Sequence, residues 1–421
     1  MKKLSALLCA MLMALSLASC GSEESSTTDN SSTTTTTAAT TTQAQVTEPV
    51  VDEGPVDISA GPTEAMMERA ILNEGNTDRL KAVINEAKES GEITVAYIGG
   101  SITQGSSATD SYNNYVNQTS RWIGETLGVT VNTVNAGIGA TDSYLGVHRA
   151  DRDVISQNPD IVFVEFSVND TSAAKNTNSY DSLLYKLLTS ESQPAVLSII
   201  MTQENGTSLT TVHEPIAKHY DIPVISYREV IYPEVVKGNL DWKEISPDNI
   251  HPNDKGHVFL SQLIQKYLEP VVASAEGFGT TKPEATYEPY AGNIYANASL
   301  NNRESDKVVT LEEGNFTLEF GFSSFKKGWA VNAAESYAKF EITAKNIGMV
   351  YFESIGGKGA TAIIKVDGQE VATIDADFPG GWGNYLESVP LYSGEEEATH
   401  IVEVQLIGEK PAFQIASWLL S

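Results

Sequence analysis

The spacing of hydrophobic and polar residues changes along the chain, and the change separates two folded regions. Between Ile93 and about residue 272, short apolar runs alternate with longer segments in which apolar residues recur every three or four positions. This alternation predicts a parallel β-sheet with helices on both faces. From residue 294 onward apolar residues recur at every second position, which predicts antiparallel strands.

The first region is predicted to be an α/β fold. Its predicted strands are Ile93–Ile98, Val129–Val134, Ile161–Phe166, Ala195–Met201 and Pro223–Ser226. Its predicted helices are Tyr115–Leu127, Leu145–Ser156, Tyr180–Ser190, Leu209–Tyr220 and Asp254–Pro270, and Thr63–Ser90 also has apolar residues at helical spacing. The carboxyl ends of parallel strands meet at one edge of the sheet, where open α/β proteins place their chemistry.

The second region is predicted to be an antiparallel, jelly-roll-like β-sandwich. Alternating segments are Phe316–Phe320, Ala338–Thr343, Met349–Ser354 and Ile401–Leu406, and a turn at Val366–Gln369 predicts a hairpin between Ala362–Lys365 and Glu370–Ile374. Trp329, Trp382, Tyr385 and Trp418 could form a surface that stacks on sugars. Trp418 lies in a terminal strand and is predicted to belong to the core, whereas Trp382 lies on a glycine-rich loop and is the better candidate.

The chain is predicted to consist of five segments. Residues 1–20 are predicted to be a lipoprotein signal peptide, 21–61 a disordered Ser/Thr-rich spacer, 62–272 the α/β domain, 273–293 a linker and 294–421 the β-sandwich domain. The apolar run Leu4–Leu17 follows two lysines and is too short to span a bilayer. It ends in Leu17-Ala18-Ser19-Cys20 and so resembles a bacterial lipoprotein signal, which implies a lipid on Cys20 and an extracellular, cell-surface location.

Composition limits the expected partners. The chain has 27 basic and 55 acidic residues and a formal net charge of −28, which argues against nucleic acids and anionic surfaces as partners. Membrane contact is therefore expected only through the lipid on Cys20. Of the two cysteines, Cys9 lies in the signal, so the mature chain forms no internal disulfide and must rely on packing. No sequence feature indicates an oligomeric state.

Two stretches carry candidate catalytic residues. Ser101 follows the first strand and the pair Gly99-Gly100, whereas Asp248 and His251 lie three residues apart on one loop. A serine hydroxyl needs an imidazole to accept its proton, and the imidazole needs an acceptor that fixes its tautomer. Ser101 alone would suit a helix N-cap, and Asp-x-x-His alone would suit a capped turn. Together, however, they supply the three roles of a Ser-His-Asp triad.

Two further stretches follow strands and can offer hydrogen-bond donors to an oxyanion. The segment 135–143 is rich in glycine and small residues, and Ser167-Val168-Asn169-Asp170 contains a side-chain amide. A backbone N–H from the first stretch and the amide of Asn169 from the second would reach the same edge of the sheet as Ser101.

In order and approximate spacing, these four stretches resemble the SGNH/GDSL hydrolase family over about residues 93–272. The resemblance implies a three-layer, flavodoxin-like parallel sheet and a serine esterase of the kind found among carbohydrate acetylesterases. It implies that Ser101, Asp248 and His251 form the triad.

The resemblance also implies an oxyanion hole made by the N–H of Ser101, the N–H of Gly139 or Ala140, and the side chain of Asn169. Where the family usually has a glycine, this chain has Ala140, with Gly139 just before it. A backbone N–H survives the change from glycine to alanine unless the position needs a positive φ. Both residues therefore remain candidate donors.

Other polar residues are predicted to be structural. Arg149 and Arg152 are predicted to be ion-paired or packing residues rather than substrate ligands. Glu165, on a buried strand, is predicted to need a partner such as an arginine. Asp170 is predicted to belong to a local turn and network, and His257 to be a structural hydrogen-bonding residue.

No metal site and no cofactor are expected. The remaining histidines have no partners at metal-ligand spacing; they are His148, His213, His219 and His400.

These observations predict an extracellular serine esterase, tethered to the membrane, that removes acetyl groups from a polysaccharide. The loops after the catalytic strands are polar and small, which favours a small acyl group. A short-chain lipase or thioesterase is one alternative. A carbohydrate-binding surface protein with an inactive hydrolase domain is another, kept open by Ala140.

Overall fold

The computed structural model describes residues 54–171 and 173–421. The predicted signal peptide, the lipid site at Cys20 and most of the predicted spacer lie outside these residues. Residues 54–61, the end of the predicted spacer, contact the folded body: the Val56 N–H donates to the Asn239 carbonyl at 2.9 Å, and Ile58 is buried. Within the described residues, no helix is long and apolar enough to cross a membrane.

A six-stranded sheet forms the centre of the first region. Its strands are β1 (Ile71–Asn73), β2 (Glu92–Gly99), β3 (Thr130–Gly137), β4 (Ile161–Glu165), β5 (Ala195–Ile200) and β6 (Val224–Ser226). The strand order is β1-β6-β5-β4-β2-β3, with β2 to β6 parallel and β1 antiparallel at one edge. Strands β4 and β5 are buried along their whole lengths, as expected for central strands covered on both faces. The predicted α/β fold is confirmed.

Helices cover this sheet. They are α1 (Glu64–Ala70), α2 (Asp78–Ser90), α3 (Ser101–Gln104), α4 (Tyr115–Leu127), α5 (Ser143–Asp153), α6 (Ala174–Leu188), α7 (Thr210–His219), α8 (Arg228–Lys237) and α9 (Asp254–Ser274). Local caps fix where two of them begin. The Asp142 side chain accepts the Leu145 N–H at the start of α5, and the Asn253 side chain accepts two N–H groups at the start of α9.

The prediction of continuous helical structure over Thr63–Ser90 is wrong. Helix α1 ends at Ala70, and β1 then pairs antiparallel with β6. The Asn73 side-chain amide donates to the Ile222 carbonyl, 149 residues later in the chain. Gly75 follows with φ +63°, and a Cβ there would lie 2.3 Å from the Pro223 nitrogen, so this turn needs glycine. A distant pairing partner overrides the local helical spacing.

Helix boundaries near two prolines also differ from the prediction. Helix α8 contains Pro233 and was not predicted, and α9 contains Pro270 and continues to Ser274 instead of ending at the proline. Tyr267, Leu268 and Val271 at this end of α9 are buried in the core, and their packing extends the helix past the point that local propensity indicates.

The second region is an antiparallel β-sandwich, as predicted. Its strands are β7 (Ser299–Asn301), β8 (Val308–Glu312), β9 (Leu318–Phe322), β10 (Phe325–Asn332), β11 (Tyr337–Glu353), β12 (Thr361–Val366), β13 (Gln369–Asp375), β14 (Tyr385–Ile407) and β15 (Ala412–Leu420). The main strand order is β13-β12-β14-β11-β15-β10-β9, with β7 beside β15 and β8 beside β11. The first part of β11 pairs with β8 and the last part with β15, so this long strand changes partners along its length.

Local predictions for the sandwich are confirmed at the hairpin and at Trp418. Asp367 and Gly368 have φ values of 50° and 78°, the two positive angles of a type I′ turn between β12 and β13. Trp418 is fully buried in the core. Trp329 is fully buried as well, so its assignment to a sugar-stacking surface is wrong, whereas Trp382 is 70% exposed.

The sandwich and the α/β region share a hydrophobic core. The described residues 54–171 and 173–421 belong to one compact unit, and a single continuous cluster contains apolar side chains of both regions. The Tyr144 and Tyr295 rings lie 5.3 Å apart, and the Lys186 Nζ donates to the Ala298 carbonyl at 2.7 Å. The face of α5 and α6 that points away from the sheet is therefore covered by the sandwich.

Candidate active site

Ser101 is placed at the carboxyl edge of the sheet by close packing around the two preceding glycines. Neither glycine has a positive φ. A Cβ on Gly99 would instead lie 2.2 Å from Thr103 Oγ1, and a Cβ on Gly100 would lie 2.3 Å from Asn169 Oδ1. The absence of side chains thus allows α3 and the end of β4 to pack directly against the turn that carries Ser101.

The loop that carries His251 is held by hydrogen bonds to Asp248. One oxygen of Asp248, Oδ1, accepts the N–H of Ile250 at 2.8 Å and the N–H of His251 at 2.7 Å. The Trp242 Nε1 donates to the Asp248 carbonyl at 2.6 Å, and the Ser246 hydroxyl donates to the His251 carbonyl at 2.6 Å. An Asp side chain that closes its own turn is a common loop device, and here it leaves Oδ2 free for the imidazole.

Ser101, His251 and Asp248 form a continuous hydrogen-bonded chain. His251 Nε2 lies 2.8 Å from Ser101 Oγ, and His251 Nδ1 lies 2.8 Å from Asp248 Oδ2. A carboxylate only accepts, so Nδ1 carries the proton and Nε2 accepts the hydroxyl hydrogen of Ser101. Burial alone would raise the pKa of Asp248, but the N–H groups of His251 and Ile250 and the His251 ring hold that pKa below its usual value.

Hydrogen bonds tie the end of β3 to the Ser101 turn. Asn135 Nδ2 donates to the Thr103 carbonyl at 2.9 Å, and Asn135 Oδ1 accepts the Gly137 N–H at 2.9 Å. The Ile138 N–H donates to the Gly99 carbonyl at 3.1 Å. The loop that follows β3 is therefore fixed relative to Ser101.

The two candidate oxyanion donors of this loop differ in backbone conformation. Ala140 has φ +59°, a left-handed conformation that costs an alanine roughly 1–2 kcal/mol. The Thr141 hydroxyl donates to the Ile138 carbonyl at 2.8 Å and closes the turn around it. A Cβ on Gly139 would lie 3.9 Å from Ser101 Cβ, so Gly139 is next to Ser101. Both residues lie in the turn against Ser101, and the assignment of the donor to Gly139 or Ala140 stays a prediction.

Asn169 lies on the other side of the Ser101 turn. The segment after β4 forms a tight turn in which the N–H groups of Asn169 and Asp170 both donate to the Phe166 carbonyl, at 3.0 and 2.9 Å. This turn directs the Asn169 side chain at Gly100, next to Ser101. The structure thus brings Asn169 together with the other predicted site residues.

A buried network fixes Asp170 and, through it, the Asn169 turn. The Asp170 carboxylate accepts the Ser143 N–H at 2.7 Å and the Asn176 Nδ2 at 3.2 Å, and it pairs with His213 Nε2 at 2.9 Å. The His213 ring stacks on Tyr180 at 3.7 Å. The predicted network role of Asp170 is confirmed, but His213 was not predicted because no local pattern indicates a contact 43 residues away.

Arg149 connects the ends of two strands. Its guanidinium is fully buried and donates to the Ala136 carbonyl at 2.6 Å and to the Gly99 carbonyl at 2.9 Å. Asp153 pairs with the same guanidinium at 3.2 Å. Arg149 is therefore both buried and ion-paired, and its predicted structural role is confirmed. The residue holds the strand ends that precede Ser101 and Gly139.

His257 and Glu165 lie beneath the site. The His257 ring accepts the Tyr115 N–H at 3.4 Å and donates to the Ser106 carbonyl at 3.2 Å, and burial lowers its pKa to about 4, so the predicted structural role is confirmed. Glu165 is fully buried, but its hydrogen-bond partner is Thr103 at 3.2 Å, and the predicted arginine partner is wrong. Burial raises the pKa of Glu165 to about 8, so a neutral carboxyl needs no cation.

Side chains that could bind a metal ion are not clustered in the described residues. In residues 54–171 and 173–421, no group of three or more His, Cys, Asp or Glu side chains is arranged to hold a metal ion.

This arrangement is suited to acyl transfer. A hydroxyl, an imidazole and a carboxylate form one hydrogen-bonded chain, and Gly139 and Asn169 lie beside the turn that carries the hydroxyl. The α/β fold and this hydrogen-bonded chain are typical of one class of protein, the ester hydrolases.

Comparison with known proteins identifies the family to which the chain belongs. The family model described as the GDSL-like Lipase/Acylhydrolase family matches residues 97–259. A crystal structure of a two-domain esterase active on acetylated mannans, co-crystallized with mannopentaose, shares 32% identity over 84% of this chain and 97% of its own, with a TM-score of 0.77. A second structure of such an esterase shares 34% identity over 84% of this chain and 98% of its own, with a TM-score of 0.78. No curated protein matches the sequence.

The chain belongs to the GDSL-like lipase/acylhydrolase family, and its two folded regions correspond to those of a two-domain esterase. The resemblance to SGNH/GDSL hydrolases is therefore confirmed, and the protein is a carboxylic ester hydrolase.

Proposed function

We propose that the protein is a cell-surface serine esterase that removes acetyl groups from a polysaccharide. The observation that carries the proposal is the hydrogen-bonded chain from Ser101 Oγ through His251 to Asp248, with 2.8 Å at each step. This geometry and the family to which the chain belongs both support the proposed triad roles.

The reaction proceeds in two halves. His251 Nε2 takes the hydroxyl proton as Ser101 Oγ attacks the ester carbonyl carbon, and the carbonyl electrons move to the oxygen. The intermediate collapses, the bond to the sugar oxygen breaks, and His251 protonates the leaving alkoxide. Water then gives a proton to His251 and attacks the acetyl-enzyme. The bond between the acetyl carbon and Ser101 Oγ breaks as His251 returns its proton to Oγ, and acetic acid leaves and ionises to acetate in solution. Asp248 keeps Nδ1 protonated throughout.

The developing oxyanion is stabilised by donors on both sides of Ser101. The N–H of Ser101 and the N–H of Gly139 or Ala140 face it from the turns, and the Asn169 amide faces it from beside Gly100. The hydrogen bonds of Arg149, Asn135 and Asp170 hold these turns in place before substrate binds, which is the condition for electrostatic stabilisation to be effective.

The proposed substrate class rests on two observations. The structural relatives at 32% and 34% identity are esterases active on acetylated mannans, one of them crystallized with mannopentaose. The loops beside Ser101 are polar, in particular 104–114 and 139–143, and offer no apolar wall for a fatty acyl chain. Acetylated mannan is therefore the first substrate to test.

An exposed aromatic cluster on the sandwich is suited to sugar stacking. Trp382 is 70% exposed and leans on Tyr385 at 5.1 Å, and Phe378 packs edge-on against Tyr385 at 5.4 Å. Tyr385 begins β14, and three residues later the Ser388 hydroxyl donates to Asp142 Oδ1 at 3.3 Å. Asp142 belongs to the loop of Gly139 and Ala140. A glycan stacked on Trp382 would thus lie near the start of β14, the strand whose Ser388 contacts the loop of Gly139 and Ala140.

Replacing Trp382 with Ala is expected to lower kcat/KM for acetate release from acetylated mannan about five- to tenfold, because one aromatic stacking contact contributes on the order of 1 kcal/mol. Hydrolysis of p-nitrophenyl acetate is expected to stay within twofold of the wild type, since this small ester does not reach the cluster. Trp382→Phe should retain most of the mannan activity. Ile407→Ala, another exposed apolar residue of the sandwich, is the matched control.

Two results would contradict this part of the proposal. A protein that cleaves p-nitrophenyl acetate but releases no acetate from mannan, xylan or other acetylated polysaccharides is not a polysaccharide deacetylase. If Trp382→Ala lowers kcat/KM equally on the polymer and on the small ester, the cluster has no sugar-binding role.

The cell-surface location is a separate part of the proposal and rests on the Leu-x-x-Cys sequence that ends at Cys20. Cys20→Ser is expected to release the protein from the membrane fraction or to leave the precursor unprocessed, because this thiol would carry the lipid. Cys9→Ser is the matched control and should stay membrane-bound. Cell fractionation with labelled fatty acid measures membrane association and lipid attachment in both variants. Wild-type protein that is found in the culture medium and carries no acyl chain would contradict the lipid anchor.

A further inference from the structure

Glu165 is a buried acid that the reaction above does not use. It ends β4 and lies in register with Gly99 of the neighbouring strand, one residue before the turn that carries Ser101. Its side chain is fully buried. A carboxyl group in such a place is costly to ionise unless a cation or several donors face it.

The hydrogen bonds of Glu165 lead to the helix that carries Ser101. Thr103, two residues after Ser101, donates its hydroxyl to Glu165 Oε2 at 3.2 Å. A threonine hydroxyl has one hydrogen, so Thr103 Oγ1 must accept from the Tyr115 hydroxyl, which lies 2.9 Å away. The other carboxyl oxygen, Oε1, is buried with no hydrogen-bond partner. This environment suits a neutral acid better than a carboxylate.

The groups that face Glu165 do not compensate a negative charge. They are Thr103 of α3, Tyr115 of α4, Asp170 of the loop after β4, and Tyr180 of α6. Burial raises the pKa of Glu165 to about 8, and the charge of Asp170 raises it further, whereas the hydrogen bonds of Thr103 and of the Gly100 N–H lower it. The carboxyl is therefore neutral at pH 7 and ionises in the mildly alkaline range.

We propose that Glu165 is a positioning residue whose neutral carboxyl group holds the Gly100 turn and the Thr103 hydroxyl, and that its ionisation suppresses ester hydrolysis. The inference rests on the assignment of Ser101 as the nucleophile. Glu165 touches neither substrate nor reacting atoms, and it acts through the residues immediately before and after Ser101.

Ionisation of Glu165 opposes the reaction for an electrostatic reason. The oxyanion forms beside the N–H of Ser101, and the carboxyl group contacts the preceding residue of the same turn. A negative charge behind the donors weakens their interaction with a second negative charge, and few water molecules screen it in a buried site. The carboxylate also draws the Gly100 N–H and Thr103 more strongly to itself, which displaces the turn.

The test is the pH dependence of kcat/KM for p-nitrophenyl acetate, corrected for uncatalysed hydrolysis, with the full chain. The wild type is expected to lose about fivefold between pH 8 and pH 9, as a group with a pKa near 8 ionises. Glu165→Gln keeps an uncharged group of the same shape and is expected to stay within twofold over that range. Glu125→Gln removes an exposed acid of α4 and should reproduce the wild-type profile.

Thr103 provides a second test, because replacing it should change the pKa of Glu165 in a known direction. Its hydrogen bond lowers the pKa of Glu165, so removing the bond must raise that pKa. Thr103→Val is therefore expected to shift the alkaline loss of activity to higher pH, whereas Thr103→Ser retains the hydroxyl and the wild-type position. A residue with a purely structural role would change the rate without moving the profile.

The outcomes are decisive. An alkaline loss that persists unchanged in Glu165→Gln overturns the inference, and so does a folded Glu165→Gln protein that is inactive at every pH. Should Glu165→Gln not fold, identical profiles for Thr103→Val and Thr103→Ser overturn it. Activity that survives in Ser101→Ala contradicts the proposed function itself, whereas an inactive Ser101→Ala with a flat wild-type profile contradicts only the role of Glu165.

Discussion

Replacing Ser101 with Ala is expected to lower kcat for p-nitrophenyl acetate by at least about a thousandfold, because the variant has no nucleophile for the acyl intermediate. His251→Ala should cost a similar factor, since Ser101 Oγ then has no base within 2.8 Å. KM should change little in both variants. The hydroxyl and the imidazole contribute to the transition state far more than to binding of the ester.

The double variant Ser101→Ala/His251→Ala should lose little more than either single variant, because triad residues act as one unit. Asp248→Asn is expected to lose less, about a hundredfold, since the Asp248 side chain is 44% exposed and water can partly replace its contact with Nδ1. Stopped assays with purified protein measure all four rates.

Ser274→Ala, at the exposed end of α9, is the matched control and should retain the wild-type rate. Circular dichroism establishes that each variant is folded. Ester turnover near the wild-type rate in folded Ser101→Ala would show that another residue is the nucleophile.

The position of the candidate site was predictable because it depends on short sequence stretches and a general property of parallel sheets. Ser101, Gly139 and Asn169 each follow a strand, and the strands end at one edge. Asp248 and His251 are close in sequence, so their contact needs only a loop of suitable shape. Four local patterns in a fixed order were therefore enough to place these residues together.

The residues that support the site were less predictable, since their partners are distant in the chain. Thr103 contacts Glu165 and Arg149 contacts Gly99, at separations of 62 and 50 residues. A buried polar contact between two elements leaves no periodic signal in either of them. The prediction of an arginine beside Glu165 failed for this reason, and because the carboxyl can be neutral the cation is unnecessary.

The edge strand β1 and the shared core also depend on contacts between distant parts of the chain, which the sequence pattern does not reveal. Ile71 lies at helical spacing from Met67, but β6 offers Ile71 and Asn73 a pairing edge. Likewise, the change of period near residue 293 predicts where the second region begins, but it does not predict that apolar residues of both regions belong to one cluster. Sequence periodicity describes each element and does not show which element packs on it.

This shared core leads to a second prediction of large effect. A chain that ends at residue 293, just before the predicted β-sandwich domain, is expected to yield no soluble, cooperatively folded esterase. The sandwich contributes large apolar side chains to the cluster that also covers α5 and α6; they are Phe320, Phe325, Val350, Leu386 and Leu419. Each such side chain contributes about 1.5–3 kcal/mol when buried, and a whole domain is stable by only about 5–15 kcal/mol.

Truncation would also remove specific contacts between the two regions. The expected loss of stability is therefore larger than exposure of an apolar patch alone would cause. The Arg152 guanidinium lies 4.9 Å from the Phe325 ring centroid, and Tyr144 packs so closely on Gly348 that a Cβ there would lie 2.1 Å from its hydroxyl. Tyr144 is in the helix that Asp142 caps, so its release would also disturb the loop of Gly139 and Ala140. Fragment 54–293 should therefore lose activity together with solubility.

The measurement compares fragment 54–293 with 54–421 by sedimentation, circular dichroism and p-nitrophenyl acetate hydrolysis. In 54–421 both regions should unfold in one transition, and Phe325→Ala should lower the stability of that transition by about 3–5 kcal/mol and the temperature of activity loss with it. Val309→Ala, at an exposed sandwich position, should change neither. A soluble, monomeric and active 54–293 fragment would show that the α/β region folds independently and that the shared cluster contributes little to its stability.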